Sequence, residues 1–159
     1  SLQKTYVTEI LFGCETDTLD PTGKIIKNID VNPTFSMSDI EKILDTFKND
    51  YLQSPPYFSA KKINGVRMYK FARQNIFIKP KGNKVNIVSY KIIDLDNSCL
   101  KLEISCGSGM YVRSLARDIA YKLNTYAYVN KLTRTKVGTY NKDNAINFKN
   151  IKECFQSIN

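Results

Sequence analysis

Histidine is absent from this 159-residue chain, and the four cysteines, Cys14, Cys99, Cys106 and Cys154, show no C-x-x-C spacing. Both absences speak against a zinc site, and the cysteines read as reduced thiols of an intracellular protein. Acidic residues are scarce as well: 15 aspartates and glutamates face 24 lysines and arginines, a formal net charge of +9. No apolar run approaches the roughly 20 residues of a membrane span, and no signal peptide precedes the first strand. Without an internal repeat or a long linker the chain reads as one domain, and a chain of this length buries roughly 70% of its unfolded surface. It opens on Ser1, directly in a strand pattern, so an upstream part is expected to be missing.

What is present is basic and aromatic. Ten tyrosines and eight phenylalanines accompany the positive charge, so a polyanion with stackable bases is the first partner to consider. A lysine-rich solvated surface, its composition set by coding bias, is the plainer alternative. Interleaving is densest where Lys61, Lys62, Arg67, Lys70 and Arg73 mix with Tyr57, Phe58 and Tyr69, the pattern of a nucleic-acid surface.

Hydrophobic periodicity lays out the elements. Residues 4–12 alternate as a strand covered on both faces, 13–23 form a turn-rich loop punctuated by Asp20-Pro21 and Gly23, and 24–29 a short strand. Ser38-Asp39-Ile40-Glu41 reads as a capping box that opens a helix to about Lys48. Pro55-Pro56 forbids helix, Asn64-Gly65 makes a hairpin-like turn, and 66–74 resumes helical spacing with Met68, Phe71 and Ala72 inward. Strands at 84–95 and 99–106 form a hairpin across Asp96-Asn97. Residues 127–140 read as a basic strand with Leu132 and Val137 as apolar anchors, and 147–158 as a short amphipathic helix. The fold class is α+β: a mixed, mainly antiparallel sheet with helices packed against it, presenting a basic cleft.

The rest is organised around Ser105 to Asp118. Leu100, Leu102, Ile104 and Cys106 alternate with Lys101, Glu103 and Ser105, and Gly107 and Gly109 then allow a sharp exit. From Val112 the period changes to helical, with Leu115, Ala116, Ile119, Ala120 and Leu123 on one stripe. Tyr111 and Arg113 stand at the mouth of this strand–turn–helix junction. A ring that can stack and an arginine fixed by its own helix suit a planar, polar or anionic substrate. The plainer reading packs Tyr111 beneath the turn and leaves Arg113 a solvated charge.

Several stretches, in order, resemble the bacterial-type tRNA pseudouridine synthases of the TruB family. They are Lys4-x-Tyr6 with Gly13-x-x-Thr16-Asp17-Thr18-x-Asp20-x-x-Gly23; Gln53-x-Pro55-Pro56-x-Phe58-Ser59-Ala60-x-Lys62-x-x-Gly65-x-x-x-Tyr69-x-x-Ala72-Arg73; and Cys106-x-x-Gly109-x-Tyr111-Val112-Arg113-x-Leu115-Ala116-x-Asp118, continued by Leu132-x-Arg134-Thr135-x-x-Gly138. The resemblance implies an enzyme that flips a uridine out of the tRNA T-loop, breaks its glycosidic bond and rejoins the base through carbon, with no metal or organic cofactor. By that likeness Tyr6 stacks on the flipped base, Tyr111 contacts it, Leu132 lines the pocket and Arg113 pairs with the catalytic aspartate. Lys62 and Arg134 join the substrate-binding set.

The catalytic aspartate itself is expected to be absent. In the family its loop reads like Gly-His-x-Gly-x-Leu-Asp-Pro and precedes the tyrosine-bearing strand, whereas here Tyr6 precedes Asp20 and the chain has no histidine. Asp17 and Asp20 match the second, non-catalytic loop. The chain is thus expected to be the C-terminal part of a TruB-like catalytic domain, residues 1–159, inactive alone. Met110 and Asn75 depart from the family's usual residues. The resemblance makes the T-stem-loop of tRNA the partner; the protein is further expected to be a monomer without a membrane association, cytoplasmic or organellar after removal of a transit peptide. A tRNA-binding or tRNA-folding module without chemistry is the alternative, and a basic domain of other role a third.

Overall fold

The computed structural model describes residues 2–31, 33–96, 98–141 and 143; the helix expected over 147–158 lies outside them. In chain order the elements are β1 (Lys4–Phe12), β2 (Cys14–Thr16), β3 (Ile25–Asn28), α1 (Met37–Thr46), β4 (Tyr51–Gln53), β5 (Lys62–Ile63), β6 (Val66–Arg67) and α2 (Met68–Arg73). They continue with β7 (Asn83–Val85), β8 (Ile87–Leu95), β9 (Cys99–Cys106), α3 (Val112–Lys122), β10 (Ala127–Val137) and β11 (Tyr140–Asn141). Among the described residues five strands form one sheet in the order β11-β10-β1-β9-β8, and three two-stranded ribbons pair β2 with β3, β4 with β7 and β5 with β6. Among the described residues every pairing is antiparallel, and the α+β class is as the sequence implies.

Period-2 alternation sorts the sheet's two faces. On one face Phe12, Ile10 and Thr8 of β1 align with Leu100 and Leu102 of β9 and with Ala127 and Val129 of β10, and all seven are buried. Leu115, Ala116, Ile119 and Ala120 of α3 cover this face, joined by Ile40 and Leu44 of α1. Burying each large aliphatic side chain here contributes roughly 1.5–3 kcal/mol. On the other face Thr5 meets Ser105 through a hydroxyl–hydroxyl bond of 2.8 Å.

Several boundaries differ from the sequence reading. Cys14–Thr16, expected in a loop, pairs with β3 as a strand. The capping box belongs to Ser36 and Asp39 rather than to Ser38 and Glu41. Phe35 before the cap and Ile40 in the first turn both pack into the core, a hydrophobic staple that selects this register. The strand expected over 84–95 breaks at Asn86 because its two halves have different partners: β7 pairs with β4 and β8 with β9. The helix expected from residue 66 starts at Met68, since Val66 and Arg67 close a hairpin on β5 around Asn64 (φ 49°) and Gly65 (φ 79°). Gly138 (φ 56°) turns β10 back into β11 and ends the strand expected to reach residue 140. Leu132 is not an apolar anchor: it is 44% exposed.

Candidate active site at the start of α3

The sheet face covered by α3 becomes exposed along β10 toward the amino end of β1, while Ile104 and Cys106 of β9, opposite Tyr6 and Lys4, stay buried. There Tyr6 lies opposite Arg134 and Thr8 opposite Leu132, and because paired and i, i+2 residues share a face, Tyr6, Arg134 and Leu132 continue the face that holds Ile10 and Val129. Along β10 exposure rises from 3% at Val129 to 44% at Leu132. Burial pushes the Tyr6 phenol up, the nearby Cys106 adds to the shift, and the Arg134 guanidinium only partly offsets it. Tyr6 is therefore a neutral, half-buried ring, suited to stacking.

At the same end of β1, Lys4 is opposite Cys106, so the turn after β9 emerges beside Tyr6. Gly109 (φ 87°) takes this turn into α3, and Tyr111, extended at φ −103° and ψ 114°, is the helix N-cap without a side-chain cap of its own. Buried Gln53 of β4 holds the Tyr111 backbone instead. Its Oε1 accepts from Tyr111 N at 2.8 Å and its Nε2 donates to Tyr111 O at 3.2 Å.

Arg113, in the first turn of α3, joins two loops. Nη1 donates to Thr18 O at 2.7 Å and Nη2 to Phe58 O at 3.0 Å, while Nη1 lies 3.8 Å from Asp20 Oδ2. Asp20 is itself the knot of the 13–23 loop: its Oδ1 accepts from Thr18 Oγ1 at 2.6 Å and from Thr22 N and Oγ1 at 2.9 and 2.6 Å. Burial pushes the Asp20 carboxyl up, but the Thr18 and Thr22 hydrogen bonds and the Arg113 charge outweigh it and hold the group below its ordinary value. Asp17 Oδ1 accepts from Lys24 N at 2.9 Å. Between them, buried Leu19 adopts φ 60° and is tied through its carbonyl to Val129 N at 3.0 Å. A Cβ on Gly23 would fall on Asp17 Oδ1 and Thr18 Oγ1, so that position admits no side chain without rearranging the loop.

One turn further along α3, Arg117 bonds Asp118 Oδ1 at 2.9 Å through Nη2 and donates to Ser54 O at 3.0 Å. Burial pushes the Asp118 carboxyl up more strongly than Arg117 pulls it down. A cleft of about 600 Å³ opens here, lined by Arg117, Asp118, Lys27, Lys79 and Tyr121 among others; Tyr6, Tyr111 and Arg113 do not line it.

Of the residues singled out from the sequence, register gathers Tyr6, Arg134 and Leu132, and the turn brings Tyr111 and Arg113 to the same end of the sheet. Arg113 is not a solvated charge: its side chain is 24% exposed and bonded to two carbonyls. Lys62 stands on the exposed β5-β6 hairpin opposite Arg67. Sequence reasoning set Asp20 aside as a loop residue, and its position 3.8 Å from Arg113 is new. It also gave no role to Gln53, which it quoted only as the first residue of the Gln53-x-Pro55-Pro56 stretch.

A chain in a crystal structure of a Cbf5-Nop10-Gar1 complex superposes with a TM-score of 0.64 at 16% identity, over 96% of this chain and 36% of that one. The family model described as TruB family pseudouridylate synthase (N terminal domain) matches residues 1–112. The tRNA pseudouridine synthase B of Borreliella afzelii (strain PKo) is 44% identical over 156 residues, 97% of this chain and 55% of that protein. That of Ureaplasma urealyticum serovar 10 is 40% identical over 159 residues, covering 98% and 69%. The chain belongs to the TruB family of pseudouridine synthases. It spans about half the length of the Borreliella relatives it matches.

Proposed function

We propose that this chain is part of a tRNA pseudouridine synthase that isomerises a uridine flipped out of the T-loop. In such an isomerisation the bond from C1′ to N1 breaks, the base turns, C1′ bonds C5, and the proton of C5 leaves to solvent while N1 takes one up. No oxidant or cofactor is required by that balance. Family membership supports the reading, and one observation supports it at the level of residues: Tyr6, Arg134 and Leu132 share a sheet face toward the end of β1 at which β9 runs into the turn before Tyr111 and Arg113. Tyr6 stacks on the flipped base, an interaction worth roughly 1–3 kcal/mol that offsets part of the stacking lost in the RNA. Tyr111 contacts the base, Leu132 lines its pocket, and Lys62 and Arg134 meet the phosphate backbone.

The nucleophilic or proton-moving carboxylate is assigned to an aspartate outside these residues, with Arg113 its partner, since a guanidinium favours the ionised carboxylate. Asp17 and Asp20, the carboxylates of the loop beside Arg113, are committed to turn hydrogen bonds. By itself, then, the chain is a tRNA-binding module. The relatives are bacterial, which favours the cytoplasm over an organelle, and the protein acts as a monomer. The test is conversion of a tRNA T-stem-loop, with the product mapped to its position, by the full-length gene product and by the 159-residue chain. The reading expects conversion by the first and tRNA binding without conversion by the second. An inactive full-length protein would refute the function, and conversion by the short chain would refute the assignment of the aspartate.

A further inference from the structure

We infer that Gln53 is a positioning residue for this site, setting Tyr111 and the start of α3 through a buried amide clamp. The inference rests on the reading above for what Tyr111 does, but not for the clamp. Gln53 is fully buried, and an uncharged amide in such a place must fill its hydrogen bonds. It does so with three: Nε2 to Tyr51 Oη at 2.8 Å, Nε2 to Tyr111 O at 3.2 Å, and Oε1 from Tyr111 N at 2.8 Å. The opposite amide orientation would put two donors, and two acceptors, face to face, so the network admits one arrangement only.

The clamp is built into a strand pair. Gln53 of β4 lies opposite Asn83 of β7, and Asn83 Nδ2 donates to Gly109 O at 3.2 Å. Lys61 Nζ, in turn, donates to Asn83 Oδ1 at 2.8 Å. Adjacent residues of one short ribbon thus grip both ends of the turn between Gly109 and Tyr111. Tyr111 has no side-chain cap of its own and belongs to no strand, so among the described residues its amide has no partner besides Gln53, and its carbonyl would keep the helical bond from Leu115 N at 3.0 Å. Loosening here shifts the ring of Tyr111 and, two residues on, the stem of Arg113. Small misplacements of this kind lower the rate of a positioned reaction more than they weaken binding.

Amide hydrogen exchange on the full-length gene product tests the clamp without any assay of activity. In the wild type the Tyr111 amide is expected to be protected, and in Gln53→Met to exchange about tenfold faster, the effect of one lost buried hydrogen bond, while the amides of Ile10 and Leu102 in the central sheet keep their wild-type rates relative to global unfolding. An unprotected Tyr111 amide in the wild type, or an unchanged one in Gln53→Met, overturns the inference; the wild-type measurement stands even if the variant does not fold. In the full-length gene product Gln53→Met is expected to lower kcat for T-stem-loop conversion about tenfold or more at nearly unchanged KM, and an unchanged kcat also overturns the positioning role. A wild type with no activity would instead refute the proposed function and leave the exchange result to judge the clamp.

Discussion

Replacing Arg113 by methionine keeps much of the stem's packing and removes the guanidinium, which leaves Thr18 O and Phe58 O without their donors at 2.7 and 3.0 Å. A hydrogen bond from a charged donor is worth roughly 1.5–3 kcal/mol when its loss strands a buried partner. Because the Arg113 side chain is 24% exposed, water reaches the vacated carbonyls and about 1 kcal/mol for each is the better figure. The contact with Asp20, at 3.8 Å between partly exposed groups, adds at most about 0.5 kcal/mol after screening. Arg113→Met should therefore destabilise the chain by about 2–3 kcal/mol, and Arg113→Lys, whose single ammonium reaches only one carbonyl, by about 1 kcal/mol. Urea unfolding reads this as a lower midpoint at unchanged m. A double-mutant cycle with Asp20→Asn should give a coupling of about 0.5 kcal/mol or less. Stability of Arg113→Met within about 0.5 kcal/mol of wild type would refute the idea that this arginine staples two loops, and a coupling several times larger would make Asp20, not the carbonyls, its main partner.

Gly23→Ala places a Cβ on Asp17 Oδ1 and Thr18 Oγ1 and should cost about 1–3 kcal/mol by overpacking, seen as a lower Tm; a neutral result would mean the 13–23 loop rearranges freely. The Asp20 carboxyl sits below its ordinary value in the fold, so the stability it contributes is complete above about pH 4 and is lost as pH falls through that value toward the lower folded one. The stability gap between wild type and Asp20→Asn should narrow on acidification, and a gap that stays constant or widens contradicts the hydrogen-bonded loop described here. Leu132→Ala, at a half-exposed position, should change stability by less than about 1 kcal/mol yet weaken conversion of the T-stem-loop by the full-length protein; a large loss of stability with full activity would return Leu132 to a packing role.

The elements that were legible are those whose pattern is local. Strand β9 alternates strictly, β1 does so from Thr8 to Phe12, and the stripe from Val112 to Ala120 buries as spaced. The Asn64-Gly65 turn was legible from its dipeptide, because both residues need positive φ there. What the sequence did not disclose depends on partners distant in the chain. Asn86 breaks a continuous β pattern only because Val85 pairs back to Tyr51 while Ile87 donates its N–H to Phe47 O at 2.8 Å. Ser36 and Ser38 each head a serine–acid spacing, and burial of Phe35 and Ile40 decides between them. At the site, the motif spacing marked Tyr6, Tyr111 and Arg113, but a lone glutamine carries no local mark of a buried clamp. Nor does spacing show that Arg113 bonds two carbonyls 95 and 55 residues away.

The most direct test follows the hydrogen that the isomerisation expels. Full-length protein given tRNA labelled with tritium at uridine C5 should release label to water as C5 bonds C1′. Tyr6→Ala and Arg113→Ala should abolish most of that release while tRNA remains bound at low salt, since the basic surface binds independently of the chemistry. Full release by either variant, or none by the wild type, would contradict the placement of a uridine-isomerising site at the end of this sheet that bears Tyr6.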